Sequence, residues 1–556
     1  VPVRYRHARA HDRPFSQEVS GLGPGRARQL VWGLIALGIA ARVVRYLLRF
    51  PLWQDEAYLA VNFLDRGYAG LMGPLEARQV APLGFLWVQH SILQVLGFTE
   101  YTLRLFPLLC GVGSLLVFGH VAGRLLRGTA LVLAVGFLAV AYPAIRYSVE
   151  AKPYSCDLFV SLGLLALAVE WWRRPHQTRW LWALAAVVPL AVGLSYPSVF
   201  TAGGISVGVA VLLWRFRLGR GWVPWVCYNV VLVAGFAALF ALSASSQSAN
   251  SREFIAGLWE DTFPPLTSPL GLVGWLLATH TGEMLAYPIG GARGASTLTL
   301  VCCVVALAVL VRRRRGGLVL LLLAPLAVNF VAASVHRYPY GGPVRFSLYI
   351  APVVCTLGGL GAAAMLIGTG ARPRQARAQV AAVLLLLSAL GFGSIGRDLF
   401  KPYKNRDVLA YRDLARTLWH DRAGHGEVVC VRTDLGRHFA SRYSEVALVL
   451  YRCNKRIYSA RSTRREMPAA GRVSAERPLY CVHYRSVGYE VDRARLQHWL
   501  DQMKSRYELA GQEEHRLSIC YDRRPLVEHV DVYRFVPRSQ APAEIGRAAP
   551  AATMRR

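Results

Sequence analysis

The chain is short of acid. Its 556 residues carry 33 Asp and Glu against 64 Lys and Arg, a formal net charge of +31. On a water-soluble chain that imbalance points to nucleic acid. Here the arginines fall in short clusters between apolar runs, which is the pattern of a topology signal, so no nucleic-acid partner is expected. The ten cysteines include no CxxC pair, so a thiolate zinc site is not expected. Ionisable residues are scarce in the middle of the apolar segments. An ion or substrate pathway through a membrane would place them there. The first apolar segment follows a basic leader but is too long for a signal-peptide core and has no convincing cleavage site. No internal repeat is visible.

What is present is apolar sequence, 54% of the chain. A membrane-spanning helix takes roughly 20 mainly apolar residues. Such segments lie near Leu30–Leu48, Leu105–Leu126, Thr129–Ile145, Ser155–Trp172, Trp180–Leu194, Ser198–Trp214, Val223–Leu242, Ser296–Val311, Gly316–Val335, Phe346–Ile367 and Gln379–Ile395. Pro82–Phe98 is shorter, and Gln89, His90 and Gln94 interrupt it. Counting it as a span would put Arg124 and Arg127, Arg173 to Arg179, Arg215 to Arg220, Arg312 to Arg315 and Arg372 to Arg377 on the side opposite the basic N-terminus. Leaving it in the interface as an amphipathic helix puts all of them on the N-terminal side, as the positive-inside rule requires. Arg42, Arg45 and Arg49 are the misfits; they either snorkel or serve an anionic ligand.

The expected architecture is a polytopic α-helical membrane protein of about 11 spans with a small extracytoplasmic α/β domain at its C-terminus. Residues 1–29 read as a disordered basic cytoplasmic leader, 30–396 as the membrane domain, 397–538 as the α/β domain and 539–556 as a disordered tail. In the α/β domain, helices are expected at Asp407–His420 and Val491–Arg506. Strands are expected at Glu427–Arg432, Leu479–Tyr484, Leu517–Tyr521 and Val530–Phe535. Cys430, Cys453, Cys481 and Cys520 lie there and could form one or two disulfides outside the cytoplasm. In the expected topology, residues 50–81, 146–154, 243–295 and 336–345 are outer loops, the third with a weakly apolar stretch at Leu270–Tyr287.

These loops hold the chemistry. Asp55 and Glu56 are adjacent carboxylates just past the first helix. One can serve as a general base on an acceptor hydroxyl; equally, both can cap a helix and compensate its dipole. If Glu56–Arg66 is helical, Tyr58, Asn62 and Arg66 share a face. In the second loop Arg146 and Lys152 could bind phosphate, and Glu150 a basic partner or a sugar hydroxyl; interfacial anchoring by Tyr, Arg and Lys is the plainer reading. In the loop from His336 to Arg345, Gly341-Gly342 permits positive φ or close backbone approach. Arg345, beginning a helix, suits a phosphate, while a tight turn with anchors is again the alternative.

Trp53-Gln54-Asp55-Glu56-Ala57-Tyr58 resembles the acidic motif in the first external loop of GT-C type glycosyltransferases, especially the protein O-mannosyltransferase and aminoarabinose transferase superfamily with its family 39-like bacterial members. Val80-Ala81-Pro82-Leu83-Gly84 is similar to that group's proline motif, and Tyr101-Thr102-Leu103-Arg104-Leu105-Phe106-Pro107 to the lead-in of its next span. Tyr147-Ser148-Val149-Glu150-Ala151-Lys152-Pro153-Tyr154 resembles its Glu-Ala-Arg-Pro-Tyr loop, with Lys152 in place of Arg. Tyr338 to Arg345 resembles a later external loop ending in Arg. The resemblance runs from Leu30 to Ile395; the C-terminal domain matches no named family.

The resemblance implies a GT-C-like glycosyltransferase of the bacterial inner membrane. It would take a polyprenyl-phosphate-linked sugar and transfer it, with inversion, to a lipid, glycan or protein acceptor outside the cytoplasm. Asp55 would be the catalytic base and Glu56 its support. Lys152, Arg345 and, more weakly, Arg146 would bind the donor phosphate. Glu150, Tyr58, Tyr154 and His336 would orient substrate. Aminoarabinose transferases carry a Lys just before the proline motif, where this chain has Val80 and Ala81, so that subfamily's substrate does not carry over. No metal or other cofactor is expected, although some GT-C enzymes use a divalent metal. A lipid-linked saccharide flippase and a catalytically silent envelope-binding homologue are the alternatives.

Overall fold

The structure, a computed structural model, describes residues 22–247, 259–368, 373–418, 427–432, 442–458, 479–486, 493–521 and 524–538. Each of the eleven expected segments forms helix. Among the described residues, eight helices are long and apolar enough to cross a membrane: Pro24–Leu47, Glu100–Leu125, Tyr154–Arg173, Ser198–Phe216, Gly219–Gln247, Gly316–Ser334, Leu348–Ile367 and Arg377–Phe400. The protein is a multi-pass membrane protein. Gly128–Val140, Arg179–Leu194 and Thr297–Arg312 are apolar but shorter. The first of these stops at Ala141, and Pro143 starts a new short helix, Tyr142–Tyr147, because proline suits a first turn and not an interior.

The chain divides into two compact units. One holds residues 1–50 and 66–402; the other holds Pro51–Asp65 together with the residues from Tyr403 onward. The short segment that follows the first helix thus groups with the C-terminal part of the chain.

In the helical unit the arginine clusters gather at one end. Arg124 and His120 both meet the Glu170 carboxylate, at 2.7 Å and 3.4 Å. Arg127 lies beside Arg124 and Arg173. Gly317, just after the Arg312–Arg315 run, touches Leu212 and Trp172, which brings the later clusters to the same end. In the last cluster, Arg372 and the side chain of Arg374 lie outside the described residues.

The three misfit arginines of the first helix have partners within the protein. Arg42 is buried and donates to the carbonyls of Gly38 and Ala139 at 2.8 Å and 3.2 Å. Arg45 pairs with Asp398 at 2.8 Å, donates to the Tyr142 hydroxyl at 3.2 Å and lies 3.9 Å over the Phe50 ring. Arg49 holds Glu100 at 2.9 Å. A cation in a helix needs its charge and donors met inside the protein when water is absent, and these residues find partners too far along the chain to be read locally.

The Pro82–Phe98 segment forms helix Leu83–Leu96. Its 14 residues cover about 21 Å at ~1.5 Å per residue, short of the ~30 Å hydrocarbon layer. Two of the three polar residues that interrupt it point inward. Gln89 and His90 are buried, Gln89 donates to the Thr102 carbonyl at 3.1 Å, and Tyr68 meets the His90 ring edge-on at 4.6 Å. Gln94 is exposed, beside the apolar Val95 and Leu96, and Trp87 is exposed as well. The Leu270–Tyr287 stretch forms helix Pro269–Thr281, also short at 13 residues.

The C-terminal unit contains a four-stranded sheet of β1 (Glu427–Arg432), β2 (Leu479–Ser486), β3 (Tyr507–Tyr521) and β4 (Arg524–Pro537), in the order β1-β2-β4-β3. β1 and β2 are parallel; β4 runs antiparallel to both β2 and β3. Helix Arg493–Lys504 supplies Leu496, Trp499, Leu500 and Met503, at helical spacing, to a core with Leu479, Cys481, Tyr507, Tyr533 and Phe535. β3 starts ten residues before the expected Leu517 because its pairing with β4 runs its full length, past a bulge between Leu509 and Gly511. Helix Arg442–Tyr458 is an element beyond those expected. Cys453 and Cys481 are buried thiols rather than disulfide partners; the side chains of Cys430 and Cys520 lie outside the described residues.

Candidate functional site

At the end of the helical unit away from the arginine clusters, the loop after Tyr142–Tyr147 is tight. Lys152 N–H donates to the Glu150 carbonyl at 2.7 Å, and helix Tyr154–Arg173 begins directly after Pro153. Arg146 Nε donates to Glu150 Oε1 at 2.7 Å, an i,i+4 ion pair whose carboxylate is buried. Burial opposes the Arg146 charge, yet the Glu150 carboxylate outweighs it and raises the pKa. Arg146 is therefore already engaged. The second oxygen, Glu150 Oε2, has no hydrogen-bond partner among the described residues, so it is an acceptor left for another donor.

Tyr147 gathers the charges of two loops. Burial pushes its phenol up to about 12; Arg146 and Arg345 pull against that shift, and Glu150 and Glu283 add to it. The charges of two cations and two carboxylates thus act on one hydroxyl. Tyr154 meets the Tyr147 ring edge-on at 5.2 Å. Arg345 lies in a one-turn helix, Val344–Phe346, rather than at the start of the long helix Ala351–Gly368. Its guanidinium stacks over Phe346 at 5.0 Å, and Phe346 meets Trp259 at 4.9 Å. The Val344 N–H donates to Glu283 Oε2 at 3.1 Å, fixing the turn.

The preceding glycines need their freedom. Gly341 and Gly342 have φ of 77° and 69°. A Cβ on either would sit 2.3 Å or 2.5 Å from a Thr279 or Thr262 methyl. Tyr340 is held by Thr262 through its N–H, at 3.2 Å, and meets His280 Nε2 through its hydroxyl at 3.1 Å. His336, at φ 55°, is exposed and packs on Phe263 at 4.7 Å.

Lys152 is buried, and its ammonium donates to Gln79 Oε1 at 2.5 Å. Gln79 stands just before Val80-Ala81-Pro82. Ala81, in that motif, is pinned through its backbone: its N–H donates to Gln247 Oε1 at 3.1 Å and its carbonyl accepts from the Tyr196 hydroxyl at 3.0 Å.

Asp55, Glu56 and Tyr58 belong to the C-terminal unit, on helix Gln54–Ala60. Glu56 is buried, and its Oε2 accepts the Trp53 N–H at 3.3 Å. It caps its own helix, one of the roles its position allowed. Asp55 is half-exposed one position earlier. The helix does not reach Arg66. It tightens at Val61–Phe63, and Asn62 turns back to donate to the Tyr58 carbonyl at 3.0 Å. Arg66 instead donates to the carbonyls of Gly70 and Pro74, at 3.3 Å and 2.7 Å, so Tyr58, Asn62 and Arg66 do not form one face.

The structure thus brings Arg146, Glu150, Tyr154 and Arg345 around Tyr147, joins Lys152 to Gln79, and places Asp55 and Glu56 in the other unit. Gln79, Tyr147 and Glu283 are members that sequence reasoning missed. Gln79 borders one quoted motif and Tyr147 opens another, so both could have been found there; Glu283 carries no sequence signal. Among the described residues no three His, Cys, Asp or Glu side chains cluster as a metal site would require.

No family model matches the chain, and no curated protein does. Among solved structures it is similar to ArnT from Cupriavidus metallidurans bound to undecaprenyl phosphate, at 13% identity over 90% of this chain and 97% of that one, with a TM-score of 0.45. It is also similar to the oligosaccharyltransferase AglB from Archaeoglobus fulgidus in complex with an inhibitory peptide and a dolichol-phosphate. The identity there is 12%, over 76% of this chain and 64% of that one, with a TM-score of 0.40.

Proposed function

We propose that this protein is a membrane glycosyltransferase that moves a sugar from a polyprenyl-phosphate-linked donor to an acceptor in the cell envelope. Transfer would occur on the non-cytoplasmic face of a bacterial-type inner membrane, with inversion at the anomeric carbon and no metal. The observation that supports it most is the charge constellation around Tyr147, with buried Lys152 held by Gln79, at the end of the helices away from the arginine clusters. Cations beside apolar helices suit a lipid phosphate better than a free one.

In this reading Asp55 takes the proton of an acceptor hydroxyl as that oxygen attacks C1. The C1–O bond to phosphate breaks, and its electron pair stays on the lipid phosphate. Lys152 and Arg345 neutralise the charge that develops there. Glu150, through Oε2, and Tyr154 orient the sugar; Arg146 acts mainly to hold Glu150. Tyr58 and His336 are the remaining orienting residues carried by the motif resemblance. Comparative mass spectrometry of envelope lipids and glycans from a deletion strain tests this. Loss of one sugar modification, restored by the wild-type gene and not by an Asp55→Asn gene, is expected. Restoration by Asp55→Asn overturns the assigned chemistry. Movement of lipid-linked saccharide across vesicles without transfer would make the protein a flippase instead.

A further inference from the structure

The segment bearing Asp55 is held by the C-terminal unit. Helix Gln54–Ala60 has 7 residues, while isolated helices shorter than about 12–15 residues are marginal in water. It therefore depends on packing: Ala57, Leu59, Ala60 and Val61 are almost wholly buried. Its contacts are spread from one end of the segment to the other. The Lys404 ammonium lies over the Trp53 ring just before the helix. In the middle, the buried Cys453 thiol donates to the Ala57 carbonyl at 3.7 Å. At the far end, Arg452 pairs with Asp65 at 2.9 Å. Two of the three anchors, Arg452 and Cys453, are neighbours on helix Arg442–Tyr458, which packs along the segment.

We propose that the C-terminal unit is a positioning device for the catalytic carboxylate, with Lys404, Arg452 and Cys453 as positioning residues that set where Asp55 stands. This rests on the functional reading above, in which Asp55 is the base. The donor-phosphate residues Lys152 and Arg345 belong to the helical unit. Disturbing Arg442–Tyr458 therefore lowers turnover while leaving lipid-phosphate binding intact. A residue that merely supports folding would not separate the two.

The test uses the full-length protein in detergent with three readouts: hydrogen exchange of the amides from Ala57 to Phe63, affinity for undecaprenyl phosphate, and release of polyprenyl phosphate from a radiolabelled polyprenyl-phosphate hexose. Arg452→Glu sets a carboxylate against Asp65. It is expected to speed exchange in that segment and to cut kcat about tenfold, within the coupling usual for contacting residues, with undecaprenyl phosphate affinity unchanged. The swapped pair, Arg452→Glu with Asp65→Arg, restores both. Cys453→Phe, which presses on Ala57 directly, repeats the loss of kcat if the packing is what matters. An unchanged kcat in Arg452→Glu and Cys453→Phe overturns the proposal, whatever the exchange shows. So does a loss of lipid binding that the swap fails to restore. Asp55→Asn run alongside separates the two levels: if it turns over normally the functional reading fails, and if it is dead while Arg452→Glu and Cys453→Phe are normal, only the positioning inference fails.

Discussion

Asp398→Asn removes one half of a buried ion pair that ties the last membrane helix to the first. The pair is 2.8 Å long, with its side chains 5% and 3% exposed. Removing one partner of such a pair costs about 3–5 kcal/mol, because the other charge stays buried without its counter-ion. Arg45 would keep the Tyr142 hydroxyl at 3.2 Å and the Phe50 ring at 3.9 Å, which places the loss at the lower end, ~3 kcal/mol. At ~2 °C per kcal/mol for a large unit, the melting temperature should fall by about 6 °C. The double variant Arg45→Met with Asp398→Leu removes both charges and fills similar space, and should recover most of the fall. Thermal unfolding followed by intrinsic fluorescence in one detergent measures all three proteins. An Asp398→Asn protein that melts within about 1 °C of wild type, well inside the shift that a buried pair implies, would refute the pairing. So would a double variant that melts no higher than the single one.

Lys152→Ala should weaken undecaprenyl phosphate binding at least about tenfold, the loss expected for a hydrogen bond to a charged group. Gln79→Ala, which leaves the ammonium in place, should cost only a few-fold; isothermal titration compares them. Gly342→Ala should destabilise the protein by about 1–2 kcal/mol from its left-handed φ alone. Contact with the Thr262 methyl adds to this, and Thr262→Ser should relieve only that added part in a thermal melt.

Much of the membrane architecture was legible because it depends on length and composition. Apolar runs gave the helices, and the arginine clusters marked one end of them. What local sequence does not carry is pairing across the chain. Arg45 meets Asp398, Lys152 meets Gln79, and Val344 meets Glu283; nothing near any of these residues announces the partner. Gln89 and His90 look like a polar face in sequence and are buried contacts in structure. Glu56 serves as a cap, a role its spacing allowed. Arg66 left the expected helical face because the α-helix ends at Ala60 and tightens into Val61–Phe63 first. Helix Arg442–Tyr458 does carry a signal: Val446, Val449, Leu450, Cys453 and Ile457 recur at helical spacing. Its grip on the Asp55 segment does not show in sequence, since several hundred residues intervene.

The most direct measurement of the central claim is turnover of a polyprenyl-phosphate hexose by purified Asp55→Asn protein, beside its affinity for undecaprenyl phosphate. Asparagine keeps the shape and removes the base. A loss of about 10²–10⁴-fold in turnover is expected, the usual contribution of a general base, with affinity for the lipid phosphate unchanged. Wild-type turnover in that variant would contradict it.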